Sequence, residues 1–587
     1  MTYRAPVADI AFTLKHGAGL APALAQGSTL GADDVDAVLD EAGKFATEII
    51  APLNTVGDKF GTPFKDGKVT MPPGWKEAYQ SWFKAGWNAV SLPEQWNGQG
   101  LPNALNAACI EMWNSASMAF GIGPVLTMGA AEALNAYGSD ELKQTYLEKL
   151  VTGEWMGTMQ LTEPQAGSDV GALRTKAERA ADGTYRITGQ KIFITYGEHE
   201  LTDNIIHFVL ARLPDAPAGN KGISLFLVPK FFVNTDGSLG SRNDVRAHSI
   251  EHKLGIHASP TCTMIYGDNG GATGWLVGEE NRGLACMFTM MNLARLSVGL
   301  QGVGIAERAT QQALTYARER KQGRALGATS GSSPIIEHPD VKRMLLTMKA
   351  LTRAARAICY ATAGAIDGSH GAGDKAKAAD ARAALLTPVA KAFSTDIGIE
   401  VASLGIQVHG GMGFIEETGA AQHLRDARIA AIYEGTNGIQ ALDLALRKVP
   451  LGDGAVVRSY IGELRNTVKA VQAANDPAFG TTGAKLAEAV DSLDRATTWL
   501  LGKIGTEPKS AQAGATPYLR LFGNAAGGCM LADEALAALR VAEGEPASRV
   551  AIARFFAENI AVQAPGLERT VTEAADSVNG ADAVLAG

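Results

Sequence analysis

The segment Ile429-Ala-Ala-Ile-Tyr-Glu-Gly-Thr-Asn-Gly-Ile-Gln440 holds a single carboxylate, Glu434, between an apolar run and a glycine. Withdrawal from water disfavours the charged form of a carboxyl and raises its pKa, which prepares it to accept a proton near neutral pH. Proton abstraction is therefore the chemistry this segment could do. Just upstream, Gln407-Val-His-Gly-Gly-Met-Gly-Phe414 has glycines that let a ligand approach the backbone closely. His409 in that stretch is a second candidate base, although a lone histidine beside glycines is more often structural.

Three further segments could bind rather than react. In Met159-Gln-Leu-Thr-Glu-Pro-Gln-Ala-Gly-Ser-Asp169 a strand end runs into a Pro/Gly turn that exposes hydroxyls and backbone N–H groups. Such a turn can accept a phosphate or the edge of a heterocycle; a plain polar turn is the simpler reading. Gly189-Gln-Lys-Ile-Phe-Ile-Thr195 reads as a strand with Phe193 and Thr195 on one face. The pair could flank a planar cofactor, with a buried core phenylalanine as the plainer reading. In Asn292-Leu-Ala-Arg295 the i, i+3 spacing puts an amide and a guanidinium on one helix face, among Met287, Met290, Met291 and Leu296. An arginine on so apolar a stretch needs an acceptor or a carboxylate partner, and an inter-helix salt bridge would serve as well as a ligand.

These segments need a scaffold, and the texture of the chain changes three times. From about residue 32 to 150 it is helical. Asp34–Ile50 is amphipathic and stops before Pro52, and Ser139 is an N-cap for the helix that follows. From about 154 to 278 short runs rich in β-branched and aromatic residues alternate with Gly, Asp, Asn and Pro turns: Tyr185–Thr188, Ile205–Leu210 and Gly222–Val228. From Leu284 helices return. The clearest opens at His338-Pro-Asp and carries Val341, Met344, Leu345, Met348, Ala355, Ile358 and Cys359 at helical spacing. Gly323–Pro334 and Asp367–Asp374 read as loops. After Pro450, Leu486, Val490, Leu493, Thr497 and Leu500 share one helix face, in a block long enough to be its own domain. The spans expected are 1–153 (helical), 154–280 (β), 281–449 (helical bundle) and 450–587 (a further helical domain).

Composition narrows the class. Of 587 residues, 46% are hydrophobic and 19% charged, near globular averages, which argues against global disorder. The 67 glycines show no Gly-X-Y period. A net charge of −8 argues against a general nucleic-acid binder, while leaving room for a basic pocket around a phosphorylated ligand. The five cysteines are scattered and odd in number, with no Cys-x-x-Cys pair, so neither a zinc ribbon nor a disulfide scaffold is expected, no metal site is indicated and a reducing compartment is favoured. The N-terminus lacks an apolar signal core. The uncharged stretch Trp113–Ala131 contains Asn114, Ser115, Ser117, Gly121, Gly123 and Pro124 and reads as buried helix and loop rather than a membrane span. A soluble, cytoplasmic protein is the expectation.

Taken in order, the motifs resemble the acyl-CoA dehydrogenase family of flavoproteins over about Asp34 to Val449. Leu161-Thr-Glu-Pro-x-Ala-Gly-Ser-Asp169, Gly189-x-Lys-x-Phe-Ile-Thr195, Arg320-x-Gln322, Gln407-x-x-Gly-Gly-x-Gly-Phe414 and Ile432-Tyr-Glu-Gly-Thr-x-x-Ile-Gln440 all fall in family sequence. The C-terminal block and the opening Tyr3-Arg-Ala-Pro are similar to a longer bacterial subgroup, which includes enzymes acting on 3-methylmercaptopropionyl-CoA. The resemblance implies a mostly α fold with a central β-barrel: a helical N-domain, the barrel, a C-terminal four-helix bundle and one extra helical domain.

The resemblance also implies roles. FAD would lie between barrel and bundle. Met159, Leu161 and Thr162 would line the flavin ring, and Gly167 and Ser168 would face its pyrophosphate side. Phe193 would take the place of the usual flavin-stacking tryptophan, with Thr195 near the reactive ring nitrogen. Arg320, Gln322, Gln407, Gly410 and Gly411 would meet FAD across a subunit interface, and Thr436 would face the cofactor. Asn292, Arg295 and Gly435 fall on the substrate side, and Arg295 would orient the Glu434 segment or balance its charge. Glu434 would take the α-proton of an acyl-CoA whose thioester is polarised by the Glu434 backbone N–H and a ribityl hydroxyl. The β-hydride would pass to the flavin, giving a trans-2-enoyl-CoA, and electrons would leave through an electron-transfer flavoprotein. The resemblance implies conversion of 3-methylmercaptopropionyl-CoA to 3-methylthioacryloyl-CoA; the alternatives are a general short- or medium-chain acyl-CoA dehydrogenase, an acyl-CoA oxidase and a non-catalytic acyl-CoA-binding assembly protein. A homodimer is expected, because the C-terminal block would cover the surface on which shorter members pack a second dimer. Three positions depart from the family pattern: Arg320-Lys-Gln-Gly-Arg324 lacks a phenylalanine, Asn292 stands where aspartate is common, and Gln165 replaces a frequent glycine.

Overall fold

The computed structural model describes residues 3–17, 20 and 30–587. Its contacts divide it into two compact units, one of residues 47–101 and 116–294, the other of 1–46, 102–115 and 295–587.

The first unit is built on an eight-stranded sheet. Its path runs Val245–Ile250, Thr261–Tyr266, Tyr185–Thr195, Ala272–Val277, Ile223–Pro229, Ile205–Arg212 and Met156–Gln160, each hydrogen-bonded to the next. The short strand Lys176–Arg179 closes part of this path into a barrel. It pairs antiparallel with Tyr185–Thr188 and touches Ile205–Arg212 through Lys176 opposite Arg212. The strands at 205–212 and 223–229 are buried on both faces and read as continuous apolar runs. Met156–Gln160 is wholly buried beneath the Met118–Tyr137 helix. Gly157 permits that packing, since a Cβ there would lie 2.5 Å from the Cβ of Ala130. Ser139 caps its helix as expected, accepting from the Leu142 N–H at 3.3 Å.

The second unit is helical. Pro339–Ser369 and Asp374–His409 pack along one another as a pair, and the 37-residue helix Gly283–Glu319 lies close against the second, where a Cβ at Gly299 or Gly302 would stand 2.5 or 2.2 Å from the Ala390 or Ser394 carbonyl oxygen. That long helix is apolar and long enough to cross a membrane, yet 67% of its most apolar window is buried inside the protein, as in a core helix. Ala515–Val541 packs on both members of the pair. Leu486, Val490, Leu493, Thr497 and Leu500 are all buried, as their spacing predicts.

The two units group the chain more coarsely than the four spans expected from sequence. The helices Ala32–Phe45 and Asn103–Ala116 fall largely in the bundle unit, not with the N-terminal helices. Charge explains it. Glu111 is fully buried and receives Arg356 Nε at 2.9 Å and Nη2 at 2.6 Å, with the Tyr360 hydroxyl at 2.6 Å. Asp9 faces Arg353, Arg356 and Arg549 at 2.7 to 3.0 Å, which ties the first helix to the bundle and to the C-terminal block. Buried charges survive only when paired, so this network dictates where those segments pack. All five cysteines are buried and free.

Candidate active site

Glu434 lies in a turn between the short helical segment Arg428–Ala431 and the helix Asn437–Asp443. The turn is strained: Glu434 has φ +55° and Gly435 φ +83°. Left-handed backbone is sterically costly for any residue with a Cβ, and such strain persists only where neighbours hold it. The neighbours here are specific. Thr436 Oγ1 accepts from the Ile439 N–H at 3.2 Å and caps the following helix. Gln440 Nε2 donates to the Glu434 carbonyl at 3.1 Å. Lys391 Nζ donates to the Gly435 carbonyl at 2.9 Å and to Asn437 Oδ1 at 2.8 Å.

The Glu434 carboxylate is half-buried and has no hydrogen-bonded protein partner among the described residues. Desolvation by the surrounding protein raises its pKa, opposed by the charges of Arg295 and Lys391. Some of its surface still reaches solvent, so the shift reflects the density of protein around it rather than full enclosure. A carboxyl so placed is a weak acid with a free lone pair, which suits a general base. The backbone N–H of Glu434 has no protein acceptor among the described residues, as an oxyanion donor requires.

Arg295 is 7% exposed, with Nη1 3.6 Å from Asp443 Oδ2. The inter-helix ion pair is thus what the structure shows, and Arg295 acts on Glu434 at longer range through its charge. Asn292, one turn before it, is exposed. His409 is buried, stacks on Tyr316 with centroids 4.4 Å apart and bonds through Nδ1 to the Gly405 carbonyl at 2.6 Å. It is structural. The residue that sequence reasoning missed is Lys391. It lies in the long helix Asp374–His409, where a lysine reads as a solvated side chain, yet it is fully buried.

In the barrel unit, the segment from Met159 to Ser168 and the strand bearing Phe193 and Thr195 lie side by side. The Ile192 N–H donates to the Thr162 carbonyl at 2.9 Å. Lys191 Nζ donates to the Leu161 carbonyl at 3.1 Å and to Glu163 Oε1 at 2.8 Å. Glu163 also accepts from the Arg174 and Thr175 N–H groups at 2.6 and 3.0 Å, so one buried ion pair fixes the turn. Burial favours the neutral acid, but Lys191 and these hydrogen bonds outweigh it and hold Glu163 at about 2. Phe193 is not a core residue. It is 58% exposed with φ +60°, at a bulge where Ile192 and Phe193 together oppose Thr263. Thr162 and Thr195 are half-buried, Met159 is buried, and Gly167 and Ser168 are exposed. In the bundle unit Arg320, Gln322, Gln407, Gly410 and Gly411 are exposed. The Gln322 carbonyl accepts from His338 Nε2 at 2.8 Å, which helps pin the loop that follows.

Domain patterns of known families cover nearly the whole chain. The acyl-CoA dehydrogenase N-terminal domain matches residues 32–154, the middle domain 158–269 and the C-terminal domain 281–449, and an acetyl-CoA dehydrogenase C-terminal-like domain matches 460–582. The chain belongs to the acyl-CoA dehydrogenase family. It is 48% identical to a 3-methylmercaptopropionyl-CoA dehydrogenase of Ruegeria pomeroyi, over 98% of this chain and 99% of that one. It is 37% identical to a butyryl-CoA dehydrogenase of Syntrophomonas wolfei, over 90% of each. The fold matches the crystal structure of an acyl-CoA dehydrogenase complexed with FAD from Bacillus anthracis, with a TM-score of 0.76 at 22% identity, covering 98% of this chain and 94% of that one. The mostly α architecture with a central barrel and an added C-terminal helical region is therefore the acyl-CoA dehydrogenase fold, and the chain is an oxidoreductase of that family.

Proposed function

We propose that this acyl-CoA dehydrogenase converts 3-methylmercaptopropionyl-CoA to 3-methylthioacryloyl-CoA, with Glu434 as the base that removes the α-proton. The observation that carries the assignment of the base is the Glu434 turn: a half-buried carboxylate with its pKa raised by desolvation and, among the described residues, no hydrogen-bonded partner, beside a backbone N–H with no acceptor there. The thioester carbonyl would accept from that N–H, which stabilises the negative charge as the α-carbon gives up its proton. The proton is then held on the Glu434 carboxyl, whose raised pKa favours keeping it. The substrate assignment is supported by the near full-length similarity to the Ruegeria pomeroyi enzyme.

The residues present fit FAD. Phe193 presents an exposed ring on a strained bulge, a site for stacking on a planar heterocycle. A Cβ at Gly167, Gly410 or Gly411 would meet no protein atom within 4 Å, so backbone stands open there. Met159, Leu161, Thr162, Gly167, Ser168, Phe193, Thr195 and Thr436 would contact FAD, and Arg320, Gln322, Gln407, Gly410 and Gly411 would meet it across a subunit interface. The Thr436 hydroxyl accepts from Ile439 and keeps its own proton to donate. Bound FAD would supply the acceptor for the β-hydride equivalent, and an electron-transfer flavoprotein would take the electrons onward. Asn292 and Gly435 would lie on the substrate side.

A homodimer is part of the same reading. Phe414 is 85% exposed beside exposed Met412 and Ile415; large apolar side chains left in water in one stretch favour a partner surface. Light scattering should give a mass near two chains, and a stable mass near one or four would contradict it. A cytoplasmic location accords with five unpaired buried cysteines. The deciding experiment for the substrate is a dye-reduction panel of acyl-CoAs. Highest kcat/KM on 3-methylmercaptopropionyl-CoA supports the assignment, and a clear preference for butyryl-CoA or longer chains overturns it.

A further inference from the structure

One face of the Asp374–His409 helix grips the base-bearing turn at two points. Lys391 Nζ reaches the Gly435 carbonyl at 2.9 Å and Asn437 Oδ1 at 2.8 Å. Asn437 Nδ2 in turn donates to Asp396 Oδ1 at 2.6 Å, to Thr395 Oγ1 at 3.0 Å and to the Ala392 carbonyl at 3.2 Å. Residues 391, 392, 395 and 396 lie one helical turn apart, so they form a single clamp on the two sides of Thr436. Among the described residues, Lys391 is the one side chain that bonds the carbonyl of the residue directly after Glu434.

A neutral donor could make these two bonds, so the positive charge needs its own explanation. Burying an ammonium is expensive unless an anion compensates it. The carboxylates that act on Lys391 are Glu434 and Asp396, opposed by the cation Arg295 from the Gly283–Glu319 helix. Arg295 is itself paired with Asp443, which also binds Arg447 at 2.6 Å. From the Ala515–Val541 helix, Arg520 pairs with Glu400 at 3.0 Å and acts on Asp396. Asp396 already serves Asn437, so Glu434 is the carboxylate in this group with no hydrogen-bonded partner.

We propose that Lys391 is the positioning residue of the base: its two hydrogen bonds hold the Glu434 turn in its left-handed conformation, and its charge keeps the Glu434 carboxylate ionised for proton abstraction. The inference rests on Glu434 being the base. Burial pulls the Lys391 ammonium down to about 7, against the raising effect of Glu434 and Asp396. Loss of its proton would remove the charge while the neutral amine could still donate both hydrogen bonds.

The test uses the FAD-loaded full chain and the variants Lys391→Met, Lys391→Gln and Lys391→Arg. The readouts are anaerobic stopped-flow flavin reduction by acyl-CoA across pH, FAD content and melting temperature. Lys391→Met should retain FAD and lose about 10²-fold in rate at pH 7, the effect of a reacting group displaced by ~1 Å. Its acid limb should move to higher pH by at least about one unit, the shift expected when an opposite charge is removed from beside a carboxylate. Lys391→Gln should shift the limb in the same way while losing less rate above it, because a donor remains. Lys391→Arg should keep the limb where it is in the unmodified chain.

An unshifted acid limb in both the Met and Gln variants overturns the proposal. So does loss of FAD and stability in all three variants, which marks Lys391 as merely structural. If the Met variant does not fold, the Gln and Arg pair decides. Glu434→Gln, measured alongside, separates the two readings. Full activity there removes Glu434 as the base. An inactive Glu434→Gln with an unshifted Lys391→Gln removes only the role given to Lys391.

Discussion

Replacing Gly435 by alanine is a demanding test of how the turn presents its base. Gly435 has φ +83°, and a methyl there would stand 2.8 Å from Gln440 Nε2. Left-handed backbone costs a residue with a Cβ roughly 1–2 kcal/mol. The Gln440 amide cannot swing aside freely, since it is fully buried and its Nε2 bonds the Glu434 carbonyl at 3.1 Å. Losing that bond adds about 0.5–1.5 kcal/mol, so the turn carries roughly 2–3 kcal/mol of new strain. The turn relieves it by moving and takes Glu434 with it, and a shift of ~1 Å at a reacting group can cost about 10²-fold in rate. Gly435→Ala should therefore keep its FAD, melt a few degrees lower and reduce its flavin about 10²-fold more slowly. The control is Gly438→Ala, three residues on in the Asn437–Asp443 helix, where the nearest atom to a Cβ is Thr436 Oγ1 at 3.8 Å. It should be as stable as the unmodified chain or more so, since alanine suits a helix by roughly 0.5–1 kcal/mol, and should retain full rate. Gly435→Ala reducing its flavin within twofold of the unmodified rate would refute the reasoning.

Burial raises the Glu434 pKa, and only the ionised form accepts a proton, so kcat/KM should rise with pH on a limb above the ordinary glutamate range. A pH profile flat from 5 to 8 would contradict that. Asp9 is desolvated, but Arg353, Arg356 and Arg549 outweigh the burial and hold its carboxyl below the usual range. Asp9→Asn should thus cost about 3–5 kcal/mol at neutral pH, the range for breaking a buried ion pair. The deficit should shrink as acid protonates Asp9 in the unmodified chain; a denaturation midpoint equal to that chain's at pH 7 would refute it. Phe193 is 58% exposed, so Phe193→Ala should change folding stability by no more than about 0.5 kcal/mol while weakening FAD retention on dilution. Unchanged FAD occupancy would remove the stacking role.

The proposed base and its turn stand out in the sequence, because a lone carboxylate between apolar residues and a glycine has few readings. The helix faces at 341–359 and 486–500 follow from their periodicity, and the strands at 205–212 and 223–229 from runs of β-branched and aromatic residues bounded by turns. Other features depend on partners distant in the chain. Lys176–Arg179 closes the barrel although its four residues, Lys-Ala-Glu-Arg, have weak strand character; two neighbouring strands impose its conformation. Phe193 is lifted out of the core by a bulge set by the register with Thr261–Tyr266, which alternation alone does not show. Lys391 is hidden in a helix with lysines at 375 and 377, and only its packing separates it from those exposed side chains. The placement of Asn103–Ala116 with the bundle follows from Glu111 meeting Arg356, a pairing 245 residues apart.

The most direct test of the account is single-turnover flavin reduction in Glu434→Gln, mixed anaerobically with 3-methylmercaptopropionyl-CoA. The change is nearly isosteric, so the chain should fold and hold FAD, and the substrate should still bind. The rate should fall by at least the ~10²–10⁴ that a positioned acid–base group contributes. Flavin reduction at the unmodified rate would show that another group takes the α-proton, and the central claim would fail.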